Sequence, residues 1–420
     1  METSTGFVYR GGSLFCEDVS LTDLARDYGT PAYVYSQNAV TSRLCAYREA
    51  LAGIPHRICY AVKANSNLAL LEVLAQEGAG FDIVSGGELF RVLAAGADAS
   101  KVVFSGVGKT RDEIRFALER GIHSFNCESE SELENLGVAA SELGATASIA
   151  LRVNPDVDAS THPYISTGLK EHKFGIDIAE VERVYEQVRT CPNMVADGVS
   201  CHIGSQLLSI EPLLEAADKM LALVERLRAK GFPIRHLDLG GGLGVPYRPS
   251  DTPSSIREFI RHLRHRIEAA GLEIMLEPGR SIAAEAGVLL ARVLFTKQNG
   301  NKTFVILDAG MNDLIRPTLY RAHHEIVPVV VRPARTIVAD IVGPVCETGD
   351  FFARDREIPE PRAGDLVALR TAGAYGFVLA SNYNSRPRPC ELLVNGGAIH
   401  AARRRETYED LVRGEALWPR

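Results

Sequence analysis

No stretch of this 420-residue chain reaches the roughly 18 consecutive apolar residues that a membrane-spanning helix requires, so an integral helical membrane protein is excluded. Positive charge is also short: 46 Lys and Arg stand against 53 Asp and Glu, a formal net charge of −7. Nucleic acids and acidic membrane surfaces demand a basic face, so neither is an expected partner. The eight cysteines (Cys16, Cys45, Cys59, Cys127, Cys191, Cys201, Cys346 and Cys390) contain no C-x-x-C pair, and neither a metal site nor a disulfide framework is expected. They read as small buried hydrophobes in a reducing compartment. The opening METSTGFVYRGGSLFCEDVS lacks a basic segment followed by an apolar one, so no secretory signal is expected and the cytoplasm is the expected location. Low-complexity segments are missing too. What remains, at 46% hydrophobic and 24% charged residues, is the composition of a globular enzyme long enough for two cores.

The informative feature is a rhythm from about residue 56 to about residue 280. Short apolar runs alternate with segments of helical period, as in a parallel βα architecture. The expected strands are 56–64, 80–85, 101–106, 123–128, 148–155, 195–204, 234–242 and 273–280. Amphipathic stretches such as TRDEIRFALERG and SIREFIRHLRHRIEAAG separate them, several ending in the glycine that favours a helix C-terminus. Eight such units are what a closed (β/α)8 barrel of the TIM type needs, whereas an open doubly wound sheet usually has about five or six strands. After about residue 285 the texture becomes β-rich and broken by Gly and Pro, which predicts a second, mostly β domain, antiparallel and of sandwich or barrel form. The first 30 or so residues look similar and are expected to lend it a strand. The predicted division is a barrel over 35–284 and a β domain built from 1–34 and 285–420.

A (β/α)8 barrel places its functional side chains at the C-terminal ends of its strands. Polar groups indeed follow the apolar runs: Lys63 and Asn65; Asp82 and Ser85; Asn126 and Glu128; Arg152 and Asn154; His202 and Ser205; Asp238; Glu277 and Arg280. At any one strand this is explained equally well by loop solvation; at seven strand ends together it is not.

Four of these ends carry chemistry. Lys63 closes an apolar strand, so its stem is packed and its amine faces the barrel mouth, where partial desolvation favours imine formation. A lysine merely snorkelling from a strand end has the same pattern. The Gly240–Gly242 run after the seventh strand lets backbone N–H groups approach an anion, at a place where barrels often bind phosphate, although a tight turn also uses glycine. Glu277, in Glu277-Pro278-Gly279-Arg280, could keep a pyridine nitrogen protonated or could pair with Arg280 within the turn. His202 could stack on a planar cofactor or serve as a hydrogen-bonded core histidine. Together these are the parts pyridoxal phosphate asks of a protein.

The stretches Tyr60-Ala61-Val62-Lys63-Ala64-Asn65, His202-Ile203-Gly204-Ser205-Gln206, Gly240–Gly242 and Glu277-Pro278-Gly279-Arg280 resemble the alanine-racemase-type barrel decarboxylases, which use pyridoxal 5'-phosphate. The likeness continues through 162–168, 173–176, 313–320, 343–348 and 372–376, in order and across nearly the whole chain. It is strongest to those members that convert meso-2,6-diaminopimelate to L-lysine and CO2, the last step of lysine biosynthesis. The resemblance implies that Lys63 carries the cofactor, His202 stacks on its ring and Glu277 meets its ring nitrogen. It implies phosphate contacts from Ser205, Gly242 and Tyr375. It further implies a substrate site made by Arg280, Arg316, Tyr320, Glu347 and Tyr375. Cys346 is implied as a catalytic residue reaching the site of a second subunit, so a homodimer is expected. The assignments after residue 300 rest on the resemblance alone.

The rival readings are a related decarboxylase acting on carboxynorspermidine, ornithine or arginine, an amino-acid racemase, and a cofactor-free regulator. The trio Arg280, Arg316 and Tyr320 argues against a purely cationic distal group on the substrate. By the same resemblance, racemases of this fold place an arginine at the ring nitrogen, where Glu277 stands here.

Overall fold

In the computed structural model, which describes residues 5–158 and 173–419, the chain divides into two compact units. One comprises Thr41–Pro246 with Asp251–Ile282; the other comprises Met1–Val40, Tyr247–Ser250 and Ala283–Arg420.

The first unit is a barrel. Its strands are β1 (His56–Ala61), β2 (Gly80–Ile83), β3 (Val102–Phe104), β4 (Ser124–Cys127), β5 (Ala147–Asn154), β6 (Met194–Cys201), β7 (His236–Asp238) and β8 (Glu273–Leu276). Each pairs in parallel with its sequence neighbours. Pairing of Ile274 with His56 closes the ring between β8 and β1. These strands are near-continuous apolar runs because both faces are covered, by packed side chains inside and by helices outside.

Local chemistry starts and stops those helices. Ser85, Thr110, Ser129 and Ser255 each accept a hydrogen bond from the backbone N–H three residues on, at the helices Gly86–Ala94, Arg111–Arg120, Glu130–Leu143 and Ile256–Ile267. Gly121 and Gly144 terminate two of them in the left-handed conformation that glycine adopts without a Cβ penalty.

The strands stop earlier than the sequence predicts. Residues 62–64 form a 3-10 turn after β1, so Lys63 stands on a turn. Likewise 239–242 leave β7 as an irregular glycine loop. Lys63, His202, Ser205 and Glu277 therefore stand on strand-to-helix loops, whereas Asp82, Asn126, Arg152 and Asp238 close the strands themselves.

The second unit is built on a mixed sheet. Its order is Phe351–Pro359, Thr336–Val342, Lys302–Leu307, Gly287–Asn299, Ala32–Ser36, Cys390–Asn395 and Ala398–Arg403. The first half of Gly287–Asn299 pairs with Ala32–Ser36 and Leu366–Leu369; its second half pairs with Lys302–Leu307 after a register shift between Val293 and Phe295. The antiparallel expectation needs correction at two places. Cys390–Asn395 runs parallel to Ala32–Ser36, and Lys302–Leu307 runs parallel to Thr336–Val342. Both edge strands, Phe351–Pro359 and Ala398–Arg403, lack a continuous apolar face because they are largely exposed, which hides them from a search for apolar runs.

Gly198 in β6 shows how tightly the barrel is filled. A Cβ there would fall 1.8 Å from Nε2 of His236 on β7, a residue only 3% exposed. Gly198→Ala is expected to cost about 1–3 kcal/mol, the range for overpacking a filled core, read as a lowered thermal midpoint. An unchanged midpoint would show that the His236 ring can move aside.

Candidate active site

At the C-terminal rim of the barrel the side chains form a connected network. The Lys63 Nζ lies 3.1 Å from Oδ2 of Asp82 at the end of β2. Asp82 is fully buried while the lysine side chain is 38% exposed, so the amine sits at the mouth with its counter-charge beneath it.

Four strand ends meet there. The Asn126 Nδ2 group donates toward Asp238 Oδ2 at 3.1 Å, Ser105 Oγ at 3.1 Å and Glu277 Oε1 at 3.3 Å. Asp238 also accepts from the Gly240 N–H at 2.9 Å, which ties the carboxylate to the start of the glycine loop. Burial, then the charges of Asp238 and Asp82, push the Glu277 carboxyl well above its usual range. Burial also raises Asp238, against the hydrogen bonds it accepts. Two carboxyl groups in contact and out of water cannot both ionise cheaply, so Glu277 is the one that keeps a proton.

His202 follows β6. Its Nδ1 accepts from the Gly241 N–H at 3.2 Å, which sets the proton on Nε2. Burial first, then Arg152 and Lys63, hold its pKa well below the usual value, so the ring is neutral. Ser205 Oγ accepts from Arg280, at 3.0 Å from Nη2 and 3.3 Å from Nε. The predicted phosphate ligand and one predicted substrate arginine are thus hydrogen-bonded to each other.

Asn65 and Ser85, polar strand ends in the sequence, serve the backbone instead: Asn65 accepts from the Asn67 N–H, and Ser85 caps its helix. Glu128 accepts from the Gly106 and Gly175 N–H groups and from Arg152 Nη1. Lys109 is buried on three acceptors, Gly106 O, Asn126 O and Glu132 Oε1, and so pins the end of β4. Sequence reading passed over Ser105 and Lys109. Ser105 follows its apolar run at the position the other strands give to polar groups, a signal that was there to use. The aim of Lys109 back under β4 has no counterpart in sequence spacing.

The remaining predicted residues lie in the second unit. Arg316 begins the short helix Arg316–Tyr320 and is 5% exposed. Its Nη1 is 2.9 Å from Nε2 of His324, and its Cζ lies 4.5 Å from the Tyr247 ring centre. Tyr320 is half-buried at the other end of that helix. Cys346 and Glu347 are exposed on one loop; the Cys346 N–H donates to Asn384 Oδ1, and Glu347 Oε1 accepts from the Gly349 N–H. Tyr375 has φ +55°, a left-handed conformation unusual for a residue with a side chain, in the loop between Ala374 and Gly376. The stretch 162–168 lies outside the described residues, and among the described residues no group of three or more metal-binding side chains occurs.

The rim residues fit pyridoxal phosphate. They supply a primary amine at the mouth, a neutral imidazole and a buried, protonated carboxyl. Asp82 Oδ1 and Asn126 Oδ1 are buried without a hydrogen-bond partner, polar capacity that a polar occupant can use. In the glycine loop a Cβ on Gly241 would strike the Glu277 carbonyl at 2.3 Å, and one on Gly242 would strike the Gly204 carbonyl at 2.6 Å. Side chains are excluded there, and the loop presents backbone.

Replacing Glu277 tests its protonation. Its folded-state pKa lies above the ordinary 4.5, so the folded protein retains a proton that the unfolded chain has lost, and stability falls as pH rises through that interval. In cofactor-free protein, the drop in thermal midpoint between about pH 5 and 8 is expected to be smaller by a few degrees in Glu277→Gln than in the parent. Equal drops would mean that Glu277 is ionised in the fold.

Comparison with known proteins agrees with this geometry. Residues 37–284 match the family model described as pyridoxal-dependent decarboxylase, pyridoxal binding domain. A diaminopimelate decarboxylase of Pseudomonas aeruginosa is 57% identical over 413 residues, covering 98% of this chain and 99% of that protein. Among solved structures, the Helicobacter pylori diaminopimelate decarboxylase complexed with L-lysine superposes with a TM-score of 0.90 at 43% identity, over 94% of this chain and 98% of the other. The M. jannaschii enzyme in co-complex with L-lysine gives a TM-score of 0.95 at 37% identity, over 100% and 99%. On these grounds the chain belongs to the diaminopimelate decarboxylases, within the pyridoxal-dependent decarboxylase family.

Proposed function

We propose that this chain decarboxylates meso-2,6-diaminopimelate to L-lysine and CO2, with pyridoxal 5'-phosphate as cofactor. The observation that carries the reading is the Lys63 amine held 3.1 Å from buried Asp82, above the acid pair of Glu277 and Asp238, in a chain of this family. Bound there, pyridoxal phosphate supplies an electron sink for the pair left behind when CO2 departs.

The chain's own residues do the rest. Lys63 holds the cofactor through its amine, and Asp82 keeps that amine aimed at the mouth. Glu277 holds a proton that it offers to the ring nitrogen, and Asp238 behind it keeps that proton from being lost to solvent. Neutral His202 would stack on the cofactor ring without adding a charge. Ser205, Gly242 and Tyr375 take the phosphate. Arg280, Arg316 and Tyr320 take the carboxylate at the end of the substrate that does not react, and Glu347 takes its ammonium group. Cys346 of a second copy, or Lys63, returns a proton to the carbon that lost CO2. In this reading the barrel of 35–284 binds the cofactor, while the β domain of 1–34 and 285–420 adds substrate contacts and the interface of a homodimer. The enzyme works in the cytoplasm and has no nucleic-acid partner.

A distal carboxylate distinguishes diaminopimelate from lysine, ornithine and arginine, and a site built to bind a polar group rejects an analogue that lacks it. CO2 release is therefore expected from meso-diaminopimelate and not from the three basic amino acids. Lys63→Ala is expected to lower it by at least about 10³-fold, the scale of losing a positioned proton-transfer group. Release from a basic amino acid would remove the roles given to Arg280 and Arg316. Racemisation without CO2 would favour the racemase reading, against which Glu277 stands.

A further inference from the structure

The guanidinium of Arg316 is almost fully buried, so something must hold it in one orientation. Its Nη1 lies 2.9 Å from Nε2 of His324, a residue with no exposed surface. The other ring nitrogen of His324, Nδ1, lies 2.8 Å from the Arg370 carbonyl oxygen. A carbonyl can only accept, so Nδ1 carries the proton. A guanidinium can only donate, so Nε2 must present a lone pair. Both partners together admit a single form of the imidazole, the neutral ring protonated on Nδ1. An imidazolium would set a donor against a donor and a positive charge against the arginine.

The surroundings hold that ring still. The Tyr247 ring packs edge-on against His324, with centres 5.4 Å apart and planes at 81°, and presents its face to the Arg316 Cζ at 4.5 Å. Arg356 fixes the backbone there, donating to the His324 carbonyl at 3.1 Å and contacting the His323 Nδ1 at 3.0 Å. Glu325 and Arg370, next along the chain and across the strand pairing, form an ion pair at 3.7 Å. An imidazole lone pair and an aromatic face both meet the Arg316 guanidinium. Both fix its plane, which is what bidentate recognition of a carboxylate needs.

We infer that His324 is a positioning residue for substrate selection: through one fixed neutral tautomer, locked by the Arg370 carbonyl, it orients Arg316 for the carboxylate of the substrate's non-reacting end. This rests on the reading of Arg316 as a carboxylate ligand. His324 touches neither the reacting carbon nor the cofactor in this reading, so it governs KM and leaves kcat alone.

The test compares His324→Leu, His324→Gln and Arg316→Gln as cofactor-loaded enzymes, assayed for CO2 release from meso-diaminopimelate. Loss of a hydrogen bond to a charged group predicts a KM about ten- to a hundredfold higher in His324→Leu, with kcat within about threefold. The His324→Gln variant, whose side-chain oxygen can still accept from Arg316, is expected to recover most of that loss. A merely structural role would lower kcat and the cofactor absorbance together and would not be rescued by glutamine. If Arg316→Gln raises KM and His324→Leu does not, the inference fails while the reading of Arg316 survives. An unchanged KM in Arg316→Gln overturns both. Should His324→Leu not fold, ¹⁵N spectra of the imidazoles in the unaltered holoenzyme decide, with His324→Gln identifying the resonance. A neutral Nδ1–H ring at neutral pH supports the inference, and an Nε2–H ring or an imidazolium overturns it.

Discussion

Closure of the parallel ring between β8 and β1 is the constraint on which the rest depends. Eight parallel strands have all their C-terminal ends on one rim, and closing the sheet brings the last of those ends next to the first. Residues from β2, β3, β4, β7 and β8 that are far apart in the chain thereby share one small volume. The Asn126 amide within hydrogen-bond reach of Ser105, Asp238 and Glu277 is a direct product of closure, spanning up to 151 residues of sequence. An open sheet with the same strands would leave those ends in a row.

Concentrating acids in that volume carries a cost, and the chemistry uses it. Three carboxyl groups, Asp82, Asp238 and Glu277, lie buried near a single lysine amine. Each is stabilised differently: Asp82 by Lys63, Asp238 by the Gly240 N–H and the Asn126 amide, and Glu277 by keeping its proton. Environment alone separates three similar side chains into a counter-ion, a hydrogen-bonded anchor and an acid, which is how a site obtains several functions from one residue type. On the second unit the logic differs. There a buried arginine is oriented by an imidazole lone pair and a phenol face.

Much of this was legible in the chain. The alternation of apolar runs and amphipathic segments marks all eight barrel strands within a few residues, because parallel strands covered on both faces must be apolar throughout. The polar residues that end seven of the eight runs are legible as well, while Ser105 after the third was passed over. Strand ends were overextended where, as at Lys63 and at Gly240–Gly242, a turn continues the same residue types. The edge strands Phe351–Pro359 and Ala398–Arg403 left little trace, since exposed strands need no apolar face. Two parallel pairings of the β domain were invisible, because strand direction is set by the path of the connections and not by strand composition.

By itself, then, the order of residues determined the eight strands of the barrel, their number sufficient for closure, and most of the side chains at its rim, because these follow from local period and polarity. Only the tertiary structure decided who meets whom: that Ser205 bonds Arg280, that Lys109 pins β4, and that His324 grips Arg316 through one tautomer. It also decided the protonation of Glu277 and the neutrality of His202. The physical reason is that hydrogen bonds and proton affinities are fixed at distances of about 3 Å by groups remote in the chain, and no local pattern encodes them.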